Sequence, residues 1–320
     1  MRCSFRRDYD AATLVRTHPP RLRSAHKELV YELCGGAATT GPIAVTRWEA
    51  GALPATAELA ATDIALMAGH FDYAGGDAGV WHLNFADPHV FAYYGSQLLA
   101  QDELQCAEHP VLGSLREALV AEGAALTEDE AGAPTPVLVA GIERRCTIET
   151  APDPAAGRPH GLYGNRFATA SADAVRAAVR VHRPPPRSNL IAIAAPSGGR
   201  GEYVRREIET ILVTAYTGFA AARSETERLW PGTPTEIRTG FWGCGAFGGN
   251  RQLMTILQLL AARLAGISRL AFYAFDDAGR ADFAAGSKAL EQVLRGSEPT
   301  AELIERIADL DYCWGTSDGN

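Results

Sequence analysis

The sequence predicts an α/β fold of helices layered on a sheet, and three observations carry that expectation. Five short apolar runs read as buried strands: Val80–Phe85, Pro136–Ile142, Asn189–Ala195, Glu236–Trp242 and Ser268–Phe275. Each is nearly continuous rather than alternating, as expected of strands covered on both faces. Segments of helical periodicity, Gln97–Glu122, Glu202–Ser224 and Arg251–Gly266, lie between most of them, and alternation of this kind builds layered domains. The chain is 320 residues long and 47% hydrophobic, enough for one large packed core with room for an accessory layer.

In chain order, residues 1–75 read as a helical N-terminal extension packed on the core. Pro19–Pro20 and Gly35–Gly36 punctuate it, and Thr56–Met67 reads as an amphipathic helix with Thr56 as N-cap. Residues 76–320 form the core. Asp153–Pro186, rich in Pro, Gly and charge, reads as a long loop, ending in the stiff run Pro184–Pro186. Trp230–Pro234 is a turn-rich insertion, and Thr300–Leu310 a capping helix followed by a tail.

Composition narrows the function. The formal net charge is −8 and the pI about 5.5, which argues against direct nucleic-acid binding, since phosphate neutralisation needs clustered Lys and Arg. An anion pocket built of backbone N–H groups remains open. The six cysteines show no metal-ligand spacing and are too sparse for a disulfide scaffold. His82, His89 and His109 lie close in sequence without the spacing of a metal cage, so no metal and no cofactor are expected. No apolar run is long enough to span a bilayer, and no apolar segment follows the basic Arg2, Arg6, Arg7 and Arg16 as a secretory signal requires. A cytoplasmic location is the expectation.

The most informative stretch is Thr239–Asn250, TGFWGCGAFGGN. An apolar strand leads in and a helical run leads out, so it is a glycine-rich strand-to-helix turn. Glycines permit positive φ and close backbone approach, and the following helix presents unpaired N–H groups at the positive end of its dipole. Together they suit a phosphate or diphosphate, although such turns are also common as plain structure.

The string Trp242-Gly243-Cys244-Gly245-Ala246-Phe247-Gly248-Gly249 resembles the signature of the poly(ADP-ribose) glycohydrolases of the macrodomain superfamily. So do its flanks: Arg205-Arg206-Glu207 with Ala215-Tyr216-Thr217-Gly218-Phe219 upstream, Gln252-Leu253 and Ile256–Ala262 downstream, and the strand Phe272–Phe275. The resemblance spans roughly Asn189–Asp277. It implies a macrodomain-like mixed sheet flanked by helices and a glycine loop around the diphosphate of ADP-ribose. Gly243, Gly245, Ala246, Phe247 and Gly248 would then bind ligand, with Phe247 on the distal ribose and Phe275 stacked on adenine. Without the resemblance, Phe275 reads as a core strand residue. Cys244 is read as packing.

The family's second signature, a strand, a triple-glycine loop and Gln-Glu-Glu, is matched by Leu83–Asp87 and Gln101-Asp102-Glu103. The resemblance implies Glu103 as catalytic acid/base, Asp102 as the carboxylate that orients the ribose, and Asp87 and Gln101 as ligand contacts. Cleaving a ribosyl bond passes through an oxocarbenium-like state, which needs a carboxylic acid to protonate the leaving oxygen. On local sequence alone, Asp102 and Glu103 read as first-turn helix acids.

Departures from the family pattern are specific. Phe91-Ala92-Tyr93 stands where the triple glycine falls, Asp87 replaces an asparagine, Asp102 is one methylene shorter than the family's glutamate, and Ala194 replaces an aspartate. Tyr163 is a candidate for the adenine-proximal tyrosine. Bulky residues in the first loop either fill part of the pocket or face away. The implied function is hydrolysis of a ribosyl glycosidic bond in an ADP-ribose-containing or NAD-derived nucleotide, or in an ADP-ribosylated substrate. The alternatives are an inactive ADP-ribose reader and a glycosidase acting on a nucleotide-linked intermediate in small-molecule biosynthesis.

Overall fold

The computed structural model describes residues 1–73 and 78–319. The α/β expectation holds: a mixed eight-stranded sheet is flanked by helices. The five sequence-predicted strands are present as β4 (Val80–Ala86), β5 (Val137–Glu143), β8 (Arg187–Ala194), β9 (Glu236–Thr239) and β10 (Arg269–Tyr273), numbered in chain order. The N-terminal residues depart from expectation. They supply β1 (Cys3–Asp10), β2 (Pro42–Trp48) and β3 (Asp63–Met67), with only α1 (Ala11–Thr17) and α2 (Ala25–Leu33) as α-helices between them. The helix expected over Thr56–Met67 is therefore wrong: its second half is the strand β3. The boundary expected between residues 75 and 76 lies outside the described residues.

The sheet runs β1-β2-β5-β8-β4-β9-β10-β3. β1, β2, β5 and β8 are paired antiparallel, whereas β8, β4, β9, β10 and β3 run parallel. Period-two alternation sends Ile191 and Ile193 of β8 into one core and Leu190 and Ala192 into the other. The first core lies under α7 (Arg205–Leu229), α8 (Arg251–Ala265), α9 (Asp277–Val293) and α10 (Thr300–Ala308); the second lies under α1 and α4 (Val111–Ala121). Burial on both faces explains the unbroken apolar runs that made these strands legible.

Three further differences bear on the site. The expected helix Gln97–Glu122 is two helices, α3 (Gln101–Glu108) and α4, separated at Pro110, whose ring cannot sit inside a helix. Helix α9 was not expected; it starts at Asp276, whose side chain accepts from Gly279 N–H at 2.7 Å. The expected loop 153–186 contains α5 (Arg166–Thr169), α6 (Ala172–Ala178) and β7 (Val179–Val181), the last paired with β6 (Cys146–Ile148). A buried ion pair ties this hairpin to α3. Glu108 accepts from Arg144 Nε and from Ile148 N–H, both at 2.8 Å, which fixes the C-terminal end of the helix that carries the acid pair.

Candidate functional site

Parallel strands share a carboxyl edge, and ligand crevices form just outside it. Here β4 ends at Ala86, β9 runs into the glycine loop, and β10 ends before Phe275. Together with the start of α3 these ends wall a cavity of about 1320 Å³. Asp87, Gln101, Asp102, Glu103, Gly243, Gly245, Ala246, Phe247 and Phe275 all line it. Gly248 does not.

The glycine loop is built from local backbone constraints. Gly243 has φ +75°, and a Cβ there would sit 2.6 Å from the Ala195 Cβ, so only glycine fits. The loop closes through Gly249 N–H to Gly243 O at 2.9 Å and Gly248 N–H to Gly245 O at 3.0 Å. Trp242 anchors it: the ring is buried and its Nε1 donates to Ile193 O at 3.1 Å, so the indole gains burial without an unmet donor. Gly248, expected to touch ligand, instead supplies the positive-φ corner and accepts from Gly315 N–H at 2.8 Å. Cys244 is a packing residue with its thiol pushed well up by burial.

The source of anion-binding donors also differs from expectation. Helix α8 does not present a bare N-terminus, because the Asn250 side chain accepts from Gln252 and Leu253 N–H at 3.0 and 3.1 Å. The free donors are one step earlier. Among the described residues, the backbone N–H groups of Gly245, Ala246 and Phe247 donate to no protein acceptor. Three successive loop N–H groups on a cavity wall form the kind of nest that binds phosphate oxygens.

The C-terminal segment lies across this loop, which the sequence did not suggest. Trp314 stacks on Tyr203 with ring centroids 4.2 Å apart, and Tyr203 Oη accepts from Asn250 N–H at 3.0 Å. Asp318 donates its N–H to Gly245 O at 3.4 Å, and its carboxylate would come within 3.1 Å of a Cβ at Gly245. The cavity wall therefore includes Gly315, Thr316 and Asp318.

On the opposite wall, α3 brings the acid pair to the cavity. Gln101 is bound to the protein by every polar atom of its amide: Oε1 accepts from Phe85 N–H at 2.8 Å, and Nε2 donates to Leu83 O and Tyr73 Oη at 3.1 Å each. It docks the helix start on β4 while lining the cavity. Asp102 is buried, and its Oδ1 accepts from Asn84 Nδ2 at 2.9 Å. Burial, then the neighbouring Glu103 carboxylate, push Asp102 up to about 7 against the opposing pull of Asn84, Cys106 and Lys27. Glu103 is only 3% exposed, and its Oε2 has no hydrogen-bond partner among the described residues. Burial raises Glu103 as well, opposed chiefly by Lys27 and by the N–H groups at the helix start. Both carboxyls are thus held toward the protonated form by one cause, removal from water.

Several placements answer questions that the sequence left open. Phe91 is fully buried in the core beneath α4 and adopts φ +55°, so it faces away from the cavity. Tyr93 is half exposed and lines the cavity. Phe275 is no core residue: it follows β10 at φ +69°, is 51% exposed, and its ring centroid lies 4.3 Å from that of His70. Tyr163 reaches the wall beside α3, held by reciprocal backbone bonds between Leu99 and Gly164. His109 is buried, bonded through Nδ1 to Gln105 O and through Nε2 to Ser188 Oγ, and burial pushes it down to about 3. Among the described residues no group of His, Cys, Asp and Glu could hold a metal, and no helix is long and apolar enough to cross a membrane. Sequence reasoning missed Asn84, Lys27 and the C-terminal segment. Asn84 alone left a signal, a polar residue inside an apolar strand.

Comparison with known proteins bears on the same elements. Residues 163–282, from Tyr163 through the glycine loop to the start of α9, match the family model described as poly (ADP-ribose) glycohydrolase (PARG), macro domain fold. Among solved structures, the chain is similar to poly(ADP-ribose) glycohydrolase from Thermomonospora curvata bound to the inhibitor ADP-HPD, with 20% identity, 86% of each chain covered and a TM-score of 0.47. It is also similar to the Deinococcus radiodurans enzyme in complex with ADP-ribose, with 14% identity, 90% of this chain and 95% of that one covered, and a TM-score of 0.45.

Proposed function

We propose that this chain, which matches the poly (ADP-ribose) glycohydrolase family model over residues 163–282, is an ADP-ribose glycohydrolase whose acid/base is Glu103. One observation carries the reading: a single cavity joins the unpartnered N–H groups of Gly245–Phe247 to a buried carboxyl pair. Backbone donors suit a diphosphate, and a carboxyl whose proton affinity burial raises suits a glycosidic leaving group.

The chemistry then runs as follows. The loop N–H groups take the diphosphate oxygens and place the ribosyl carbon toward α3. Phe275 offers an exposed ring to the adenine. Protonated Glu103 donates its proton to the leaving oxygen as the glycosidic C–O bond breaks and its electron pair stays on that oxygen. The resulting ribosyl cation faces a Glu103 carboxylate, which takes a proton from the attacking water as the new C–O bond forms. Asp102, fixed by Asn84, orients the ribose hydroxyls, and Asp87 stands beside the same wall. The substrate class is an ADP-ribosyl adduct or an NAD-derived nucleotide, met in the cytoplasm.

The test is calorimetric titration of the protein and of Glu103→Gln with ADP-ribose, paired with release assays on ADP-ribosylated protein. Both proteins should bind ADP-ribose, and the variant should lose about 10²–10⁴-fold in turnover. Absence of binding by the folded wild type refutes the nucleotide site. Binding with full turnover in the variant removes Glu103 from the mechanism, and binding with no turnover in either protein favours a reader.

A further inference from the structure

The face that α2 turns inward carries Val30 and, one turn before it, Lys27. Folding buries this lysine on the face it shares with Val30, a placement expected at functional or strained sites. Lys27 is 2% exposed, so its ammonium has no route to solvent. Its Nζ donates to the backbone oxygen of Glu103 at 3.1 Å, and the other side of the group faces the Phe167 ring, 5.7 Å away. No carboxylate lies within ion-pair distance of it among the described residues.

The placement is electrostatically costly in two ways. A buried amine loses its hydration, and the start of a helix is the positive end of the helix dipole, where a cation is disfavoured. What faces it is the first turn of α3, whose Glu103 and Asp102 carboxyls oppose the desolvation without cancelling it, so burial still pushes the Lys27 ammonium down to about 8. The remaining titratable groups around the pair are Asp87 after β4, Arg116 of α4 and Tyr163 before α5. Arg116 donates to Val90 O and Ala125 O, so Lys27 is the cation bonded to the first turn of α3.

We propose that Lys27 is a positioning residue for the carboxyl pair: a buried ammonium that clamps the first turn of α3 through the Glu103 carbonyl and supplies the countercharge against which Asp102 and Glu103 exchange their proton. The proposal rests on the glycohydrolase reading for its catalytic meaning, since Glu103 is there the proton donor. It assigns the N-terminal segment a part in the site: α2 delivers a buried cation to the first turn of α3. Without that cation both carboxyls would hold their protons more tightly, and Glu103 would be a weaker acid toward the leaving oxygen. With Lys27 in place, one negative charge is tolerated, as acid/base cycling requires.

The experiment measures the carboxyl titrations directly. Carbon-13 carboxyl NMR, assigned with Asp102→Asn and Glu103→Gln, follows both groups in wild type, Lys27→Met and Lys27→Arg. Methionine keeps the unbranched shape and removes the charge. The carboxyls should titrate about one pH unit or more higher in Lys27→Met and near their wild-type positions in Lys27→Arg. Turnover should show the same pattern, its alkaline limb moving to higher pH in Lys27→Met and returning in Lys27→Arg. Unchanged carboxyl titrations in a folded Lys27→Met overturn the proposal. Should Lys27→Met not fold, the reciprocal measurement decides. Coupling is mutual, so the Lys27 ammonium must titrate lower in Glu103→Gln than in wild type, and an unmoved Lys27 overturns the proposal. A protein that shows the coupling yet hydrolyses no ADP-ribosyl bond sinks the functional reading and leaves the electrostatic clamp standing.

Discussion

Asp102→Asn should make this protein more stable at neutral and alkaline pH while harming its chemistry. Burial and Glu103 lift Asp102 from its ordinary 3.8 to about 7 in the folded state. In the unfolded chain the group is back in water and titrates near its ordinary value. The folded state therefore binds the extra proton between those two values, and the associated stability is fully present below about 3.8 and lost as the pH rises through about 7. At roughly 1.4 kcal/mol per pH unit, the ionised carboxylate destabilises the fold by about 4 kcal/mol once both states are deprotonated. Some of that is repulsion from Glu103, which sharing a proton relieves, so a gain of about 2–4 kcal/mol near pH 8 is expected. The asparagine keeps an oxygen that can accept from Asn84 Nδ2, 2.9 Å away, and from Cys106 Sγ, 3.5 Å away, so neither of those donors loses its acceptor. Denaturant unfolding of both proteins near pH 4 and near pH 8 is the assay. The gain should be near zero at the lower pH and full at the higher. A variant no more stable than wild type at the higher pH, or equally stabilised at both, refutes the argument that burial strains this carboxylate.

The rewritten first loop gives a paired prediction. Tyr93→Ala should alter nucleotide affinity or the range of ligands accepted with little change in stability, whereas Phe91→Ala should cost about 3–5 kcal/mol of stability, as expected for a buried aromatic. Calorimetry and denaturant unfolding separate the two, and equal behaviour of the variants contradicts their opposite orientations. Phe275→Ala should weaken ADP-ribose binding by about 1–2 kcal/mol without destabilising the fold, since its ring is half exposed. Unchanged affinity in calorimetry places the adenine elsewhere.

The two halves of the site differ in how the sequence announces them. The glycine loop is legible because its shape is set residue by residue: Gly243 and Gly248 hold positive φ, and the strand and helix around it have their own periodicities. The acid pair is legible in position, as consecutive carboxylates at a helix start. Its protonation is not, because that comes from burial under elements far away in sequence. Gln101 is also a strut, which the sequence did not announce, since only the tertiary structure puts Leu83 O, Phe85 N–H and Tyr73 Oη within its reach. Phe91 and Tyr93 are close in the chain and point into different surroundings, which composition does not encode.

By itself the sequence determined the central strands β4, β5, β8, β9 and β10, the helices α7, α8 and α10, and the loop between β9 and α8. These elements bury both faces or a full stripe, and so carry unbroken or periodic apolar runs. Tertiary structure alone decided the rest. Strand β1, with Arg6, Arg7, Asp8 and Asp10, is half exposed and pairs on one edge, while β3 joins β10 from the far end of the chain. Edge strands bury too little to leave an apolar run, and their partners are set by non-local hydrogen bonds. The C-terminal segment over the glycine loop and Lys27 beneath the acid pair belong to the same class. A chain reports the forces that act between neighbours; the field at a buried carboxyl is a sum over groups that only folding brings together.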